Sequence, residues 1–231
     1  MEWRNDVVEM PNLGILMLDT KFERIVGDIG NPKSFDMPVK FKLVSGATVN
    51  RVVKEPDREL INIFIDAGKE LQAGGVKALT TSCGFLALYQ KEIAEQIEIP
   101  FYSSSLIQIP LVYSVMGGPI GILTARKASL TTGHLAGVGA DQIPTYIYGM
   151  DDKPSFTSAI VDQTEKLDKE KIEKEMVEKA LELYLNHPEI KAIVLECTNM
   201  PPYKEAIKRE IPVPVFDIFT LTDYVFSSIS K

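Results

Sequence analysis

The chain has 231 residues, of which 45% are hydrophobic and 25% charged, and its formal net charge is −7 at pH 7. This composition is typical of a soluble globular protein with one large domain or two lobes of roughly 100 residues each. The acidic balance disfavours nucleic acid and anionic membrane surfaces as partners. The N-terminus is acidic and has no long apolar run, which argues against a signal peptide. No segment is apolar for long enough to span a bilayer, so we expect a cytoplasmic protein.

The first half of the chain alternates short apolar runs with amphipathic segments. Such alternation predicts βαβ units and a parallel sheet. A long loop with several turn signals follows the first apolar run, and loops of this length are often functional. In chain order, the predicted strands are residues 13–19, 39–45, 76–82 and 99–105, and the predicted helices are residues 56–75 and 87–97.

The second half repeats the order of the first. The segment "IKAIVLEC" (190–197) matches "VKALTTSC" (76–83), and "PIGILTAR" (119–126) matches the first strand region. We interpret this as an internal duplication. The predicted fold is α/β, with two pseudo-symmetric lobes that each hold a short, mostly parallel sheet flanked by helices, and with the site in the cleft between them. The predicted first lobe is residues 1–115 plus a C-terminal helix at 217–231, and the second is residues 116–216.

The two cysteines of the chain, Cys83 and Cys197, both follow an apolar run and precede a predicted helix. Ligands of open parallel sheets bind at the carboxyl ends of the strands, and a helix N-terminus lowers a thiol pKa from about 8.5 toward neutrality. The two histidines, His134 and His187, are distant from both cysteines in sequence. We therefore expect two free thiols facing one small ligand, without a metal or a cofactor.

Two opposed thiols suit proton transfer beside a carboxylate. One thiolate removes the α-proton from one face, and the other thiol delivers a proton to the opposite face. In the long loop, Asp28 and Asn31 are the first polar candidates to reach the site. Thr124 ends the strand that opens the second lobe, which makes it a candidate for ligand contact.

The motifs "GILMLDT", "TTSCGF", "PIGILTAR" and "LECTNMPPY" resemble the aspartate/glutamate racemase superfamily of cofactor-independent racemases and isomerases. The resemblance implies that Cys83 and Cys197 form the acid–base pair. Because members are often dimers, it also implies a homodimer. It assigns binding of the substrate or support of the thiols to Asp19, Thr20, Ser82, Gly84, Phe85, Thr198 and Asn199.

These observations predict a racemase or epimerase, hence an isomerase, that acts on an amino acid or a related carboxylate. The alternatives are a dicarboxylate cis–trans isomerase, a decarboxylase or a hydantoin racemase of the same superfamily, and a non-catalytic carboxylate-binding protein. The chain departs from the amino-acid racemases at two places. Gly84 and Phe85 replace an Asn-Thr pair that is common after the first cysteine, and Asn199 replaces the histidine of glutamate racemases.

Overall fold

The structure, a computed structural model, describes residues 12–229. Most of the N-terminal segment on which the signal-peptide prediction rests lies outside these residues. The described chain forms two four-stranded sheets, and every pairing between neighbouring strands is parallel. The strands are β1 (Leu13–Met17), β2 (Val39–Leu43), β3 (Ala78–Thr81) and β4 (Phe101–Tyr102) in one sheet, and β5 (Ile120–Thr124), β6 (Thr145–Gly149), β7 (Ala192–Leu195) and β8 (Val215–Phe216) in the other.

The two sheets have the same topology, which confirms the predicted two-lobed α/β fold and the duplication. Their strand orders are β2-β1-β3-β4 and β6-β5-β7-β8. The registers correspond as well: Gly14 of β1 pairs with Leu79 of β3, and Gly121 of β5 pairs with Ile193 of β7. The carboxyl ends of the central strands β3 and β7 therefore hold equivalent places in the two lobes.

Gly14 and Gly121 allow a helix to pack closely on each sheet. A Cβ atom built on Gly14 would lie 2.6 Å from a Leu79 methyl and 3.0 Å from Leu71. The corresponding atom on Gly121 would lie 2.7 Å from Leu183. Both positions thus need a residue without a side chain, because a helix leucine fills the space above each strand.

Helices cover both sheets. The helix predicted over 56–75 spans Leu60–Ala73, and one face of this helix and of the other long helix, Lys169–Asn186, is buried. Within residues 12–229 no helix is both long and apolar enough to cross a membrane. The helices are α1 (Leu60–Ala73), α2 (Gln90–Ala94), α3 (Ile109–Met116), α4 (Thr132–Gly137), α5 (Pro154–Phe156), α6 (Lys169–Asn186), α7 (Lys204–Glu210) and α8 (Ile218–Ile229).

The C-terminal helix α8 returns to the first sheet. Its buried Ile218, Leu221 and Phe226 pack with Leu13 and Ile15 of β1 in one apolar cluster. The Tyr102 hydroxyl donates a hydrogen bond to Thr222 Oγ1 over 3.0 Å and ties β4 to the same helix. The end of the chain thereby completes the core of the lobe in which it began.

The details of several elements differ from the prediction. The strand predicted over 99–105 contains only Phe101–Tyr102, because the serines that follow turn into a short 3-10 helix. The helix predicted over 87–97 is divided into a 3-10 segment, Gly84–Tyr89, and α2. Strand β6 was not predicted, since its residues are only half-buried and carry a weak apolar pattern.

Candidate active site

A cavity lies between the lobes, at the carboxyl ends of β3 and β7. The space free of atoms within it and at its opening to solvent amounts to about 430 Å³. Its walls are mainly apolar, with a few polar groups. The lining residues are Leu18, Thr20, Phe22, Arg24, Val49, Val53, Ser82, Cys83, Gly84, Phe85, Ala125, Ile160, Val161, Glu196, Cys197 and Asn199.

Both cysteines are free, buried and part of this one cavity. Burial raises the pKa of the Cys83 thiol to about 12, and the nearby Glu196 carboxylate adds to the rise. Burial, followed by Glu196, also raises the pKa of Cys197 well above its ordinary value. The prediction that helix N-termini lower both thiol pKa values is therefore wrong, because desolvation outweighs the backbone N–H groups.

The side-chain surroundings of the two sulfurs are not equivalent. A backbone hydrogen bond favours the thiolate of each cysteine, from Phe85 at Cys83 and from Asn199 at Cys197, and the charge of Arg24 adds to this effect at Cys83 only. The Cys197 thiol also donates a hydrogen bond to Asn199 Oδ1 over 3.4 Å, which favours its protonated form. The backbone environments of the two thiols are thus equivalent, whereas their side-chain partners differ.

Glu196 precedes Cys197 and is completely buried. Its Oε2 accepts a 2.7 Å hydrogen bond from the Thr124 hydroxyl. Its Oε1 has no hydrogen-bond partner among residues 12–229. Burial raises the pKa of Glu196 to about 7, against the lowering by the hydrogen bonds from Thr124 and the Ala125 backbone. A carboxyl group that ionises near neutrality therefore lies beside both thiols.

Gly84 brings the first lobe against this carboxyl group. A Cβ atom on Gly84 would lie 2.2 Å from the Glu196 carbonyl oxygen and 2.3 Å from its Oε1. Two inter-lobe hydrogen bonds support the same contact: Thr198 Oγ1 donates to the Ser82 carbonyl over 2.7 Å, and Ser105 Oγ donates to the Leu195 carbonyl over 2.6 Å. The glycine after the first cysteine is thus required by the approach of the lobes.

A chain of polar contacts connects the long loop to the second cysteine. Asn199 Nδ2 donates to Asp28 Oδ2 over 2.7 Å, while Asn199 Oδ1 accepts from Cys197. The other Asp28 oxygen forms an ion pair with Arg24 at 3.0 Å. Arg24 also donates to Thr20 Oγ1 over 2.8 Å and lies 4.1 Å from the centroid of the Phe22 ring. The loop therefore forms one wall of the cavity.

Five of the predicted binding residues line the cavity beside the two cysteines: Thr20, Ser82, Gly84, Phe85 and Asn199. The other four lie outside the lining. Asp19 is exposed, and Asn31 caps a turn by accepting from the Lys33 backbone and donating to the Arg24 carbonyl. Thr124 holds Glu196, and Thr198 holds the backbone of Ser82.

Sequence reasoning missed Arg24, Glu196 and the apolar walls. Two π-helical segments, Asn50–Lys54 and Thr157–Val161, supply part of these walls from the first and the second lobe. Nothing in the periodicity marks such segments. Glu196 could have been recognised as a candidate, because a charged residue at the end of an apolar strand, directly before a cysteine, is unusual. Arg24 had none, because only the course of the loop brings it to the cavity.

The arrangement suits proton abstraction from a small polar ligand. The two thiols can act as bases once a ligand favours their ionisation, and apolar walls exclude water from the reacting atoms. Arg24 offers a cation for a carboxylate, and Glu196 offers an anion. No group of three or more His, Cys, Asp or Glu side chains within residues 12–229 could hold a metal ion.

Solved structures identify the fold. An aspartate racemase homologue from Pyrococcus horikoshii superposes with a TM-score of 0.58, over 94% of this chain and 99% of that chain, at 15% identity. An arylmalonate decarboxylase variant gives 0.61, over 89% and 87%, at 15% identity. A glutamate racemase from Francisella tularensis gives 0.56, over 95% and 82%, at 18% identity. The protein therefore has the fold of the aspartate/glutamate racemase superfamily, as the sequence motifs predict.

No family model matches the chain. Curated relatives indicate more closely which members of the superfamily this chain is similar to. A dimethylsulfoniopropionate lyase from Durusdinium sp. clade D is 31% identical over 94% of this chain and 74% of its own length. Dimethylsulfoniopropionate lyase 7 from Emiliania huxleyi is 32% identical over 93% of this chain. This chain spans 66% of that second relative and 61% of two further ones. The chain belongs to the family of these dimethylsulfoniopropionate lyases.

This relationship corrects the predicted function. The prediction of a racemase or epimerase, and with it the isomerase class, is wrong, because the relatives at 28–32% identity are named as lyases. The superfamily was predicted correctly, but the reaction was not. In general, removal of a proton next to a carboxylate can lead to racemisation or, where the ligand carries a leaving group, to elimination.

Proposed function

We propose that this protein is a lyase that cleaves dimethylsulfoniopropionate by β-elimination. The proposal rests on the sequence relationship to a lyase of that name over 94% of the chain. The cavity supports it, since two thiols and a carboxyl group share one small, mainly apolar space. The substrate is a zwitterion with a carboxylate at one end and a dimethylsulfonium group on the third carbon.

The proposed reaction needs one base and no cofactor. A cysteine thiolate takes a proton from the carbon next to the carboxylate, and the electron pair of that C–H bond forms the new C=C bond. The C–S bond breaks, and its electron pair leaves with sulfur as neutral dimethyl sulfide. Acrylate is the other product, and the protonated cysteine returns its proton to solvent. Atoms and charges balance without an oxidant or a reductant.

The thiolate forms when the substrate binds. Burial raises the pKa values of both thiols and favours their neutral forms. A sulfonium ion in the same cavity favours the charged form of a neighbouring thiol and lowers its pKa, so the thiol proton leaves to solvent. Elimination removes a proton from one face only. The two cysteines therefore need not exchange roles, in agreement with their unequal surroundings.

Arg24 is suited to hold the substrate carboxylate. It lines the cavity, and its position is fixed by Asp28, by Thr20 and by the Phe22 ring. A guanidinium group carries five N–H donors, so these contacts leave donors for a ligand carboxylate. This placement would orient the α-carbon of the substrate toward the thiols.

The direct test is to incubate the purified protein with dimethylsulfoniopropionate and to measure dimethyl sulfide by headspace gas chromatography and acrylate by NMR. We expect both products in equal amounts. Cys83→Ser and Cys197→Ser are expected to lower kcat unequally, with a loss of about 100-fold or more for the cysteine that acts as the base. Thr80→Ser is the matched control, because Thr80 is buried in β3 but does not line the cavity.

The absence of product from folded wild-type protein would refute the proposed activity. Full activity in both cysteine variants would refute the role of the thiols. An equal loss in both variants would contradict the single-base mechanism and would require both sulfurs in the chemical step.

A further inference from the structure

We infer that Glu196 recognises the positive onium group of the ligand, so that the site selects zwitterionic carboxylates with a fully alkylated cationic centre over their neutral isosteres. The inference deepens the proposed function and rests on it for the orientation of the ligand. It assigns a specificity-determining role to a residue that the two-thiol chemistry does not use.

The first observation is the unsatisfied carboxyl oxygen. Glu196 has no solvent exposure and lines the cavity, yet its Oε1 has no hydrogen-bond partner among residues 12–229. Buried polar atoms are nearly always paired, and an orphaned carboxylate oxygen is especially unfavourable. A ligand charge in the cavity would remove this penalty.

The second observation is the lack of a protein cation for Glu196. The cationic side chain in the cavity lining is Arg24, and its guanidinium group is directed to Asp28 and Thr20. No salt bridge within the described part of the chain includes Glu196. Among residues 12–229 the Glu196 carboxyl group thus has no counter-charge, which matches a ligand that brings its own cation.

The carboxyl group is held in place at two points. Thr124 donates to Oε2 over 2.7 Å, and Gly84 packs so closely that a Cβ atom there would lie 2.3 Å from Oε1. Fixed in this way, Glu196 cannot turn away to find another partner. Preorganised charge of this kind stabilises a complementary charge without reorganisation.

The apolar walls of the cavity indicate the type of cation. An ammonium group has three N–H donors that must all be satisfied, and the cavity walls near the site are largely apolar: Val49, Val53, Ile160 and Val161. A sulfonium or quaternary ammonium group has no donors and a surface of methyl groups. Such a group fits apolar walls beside a carboxylate, because it brings no N–H donor that the walls would leave unsatisfied.

The test measures binding, so that it does not depend on turnover. The probes are 3-(trimethylammonio)propanoate and its carbon isostere 4,4-dimethylpentanoate, which differ only in the charge of the central atom. Their dissociation constants are measured by calorimetry at pH 8 for wild-type protein and Glu196→Gln. We expect wild-type protein to bind the cationic probe about 10-fold or more tightly than the neutral one, and Glu196→Gln to reduce this ratio by about 10-fold.

Several outcomes would overturn the inference. One is an unchanged ratio in Glu196→Gln, and another is a preference of the wild-type protein for the neutral probe. If dimethylsulfoniopropionate is not cleaved but the charge preference holds and depends on Glu196, the proposed reaction fails while this inference stands. If dimethylsulfoniopropionate is cleaved but the charge preference does not depend on Glu196, the proposed reaction stands and this inference fails.

A second measurement uses wild-type protein and tests the inference even if Glu196→Gln does not fold. For wild-type protein the preference for the cationic probe should increase from pH 5.5 to pH 8.5, as Glu196 loses its proton. The other titratable groups that face the cavity are Cys83, Cys197 and Arg24 with its partner Asp28. Because a bound cation also favours the thiolate of a neighbouring cysteine, the pH series is also measured in Cys83→Ser/Cys197→Ser protein, which has no thiol to ionise and should show the same increase. A preference that does not change with pH would refute the inference.

Discussion

Glu196→Gln should stabilise the protein, and by an amount that grows with pH. Glutamine has the same shape and keeps a carbonyl oxygen for the Thr124 hydroxyl, but it cannot ionise. In the folded protein burial raises the pKa of Glu196 from its ordinary 4.5 to about 7. The folded wild type therefore holds a proton that the unfolded chain releases above pH 4.5, so its stability is full below that pH and falls as pH rises toward 7.

The magnitude follows from the size of the pKa shift. One pKa unit corresponds to about 1.4 kcal/mol, so a group with pKa values of 4.5 and about 7 destabilises the folded state by roughly 3 kcal/mol at pH 8. At pH 5 the same group destabilises the folded state by less than about 1 kcal/mol. The free energy of unfolding of Glu196→Gln, relative to wild type, should thus rise by about 2.5 kcal/mol between pH 5 and pH 8.

Urea unfolding at pH 5, 6, 7 and 8 and constant ionic strength would measure this difference. Glu175→Gln is the matched control. Glu175 is also a buried carboxylate, but it accepts the backbone N–H groups of Ser155 and Phe156 at 2.9 and 2.8 Å. An amide cannot accept both bonds through two oxygens, so that variant should lose stability. A stability difference for Glu196→Gln that is the same at pH 5 and pH 8 would refute the assignment of a raised pKa.

Three further substitutions test the geometry of the site. Gly84→Ala should destabilise the protein by about 3 kcal/mol and abolish ligand binding, because the new methyl group would overlap the Glu196 carbonyl; a normal urea midpoint would contradict this. Arg24→Gln should raise KM for a carboxylate substrate about 10-fold with a smaller change in kcat, measured by steady-state kinetics. A large fall in kcat with little change in KM would instead show that Arg24 acts in the chemical step. Asn199→Ala should leave one Asp28 oxygen unpaired and lower the free energy of unfolding by about 1–3 kcal/mol. An unchanged free energy of unfolding would show that water replaces the amide.

The sequence by itself determined the two-lobed fold and the two cysteines. The order of apolar runs and amphipathic segments is a local property of the chain, and its repetition in both halves predicts two equivalent sheets with a thiol at each central strand end. The structure confirms that topology and brings Cys83 and Cys197 into one cavity. Local patterns succeed here because burial of a strand or a helix face depends on neighbouring residues.

Only the tertiary structure decided the charge of the site and the partners of its polar groups. Arg24 reaches the cavity through the course of the loop and binds Asp28 and Thr20 there, and Glu196 has no salt-bridge partner among residues 12–229. The raised pKa values of the thiols follow from desolvation across both lobes. These properties depend on which residues, distant in sequence, are buried together away from water. The periodicity of the sequence does not predict them. The sequence thus indicated where the two thiols lie, while the fold determined their burial and the charged groups around them.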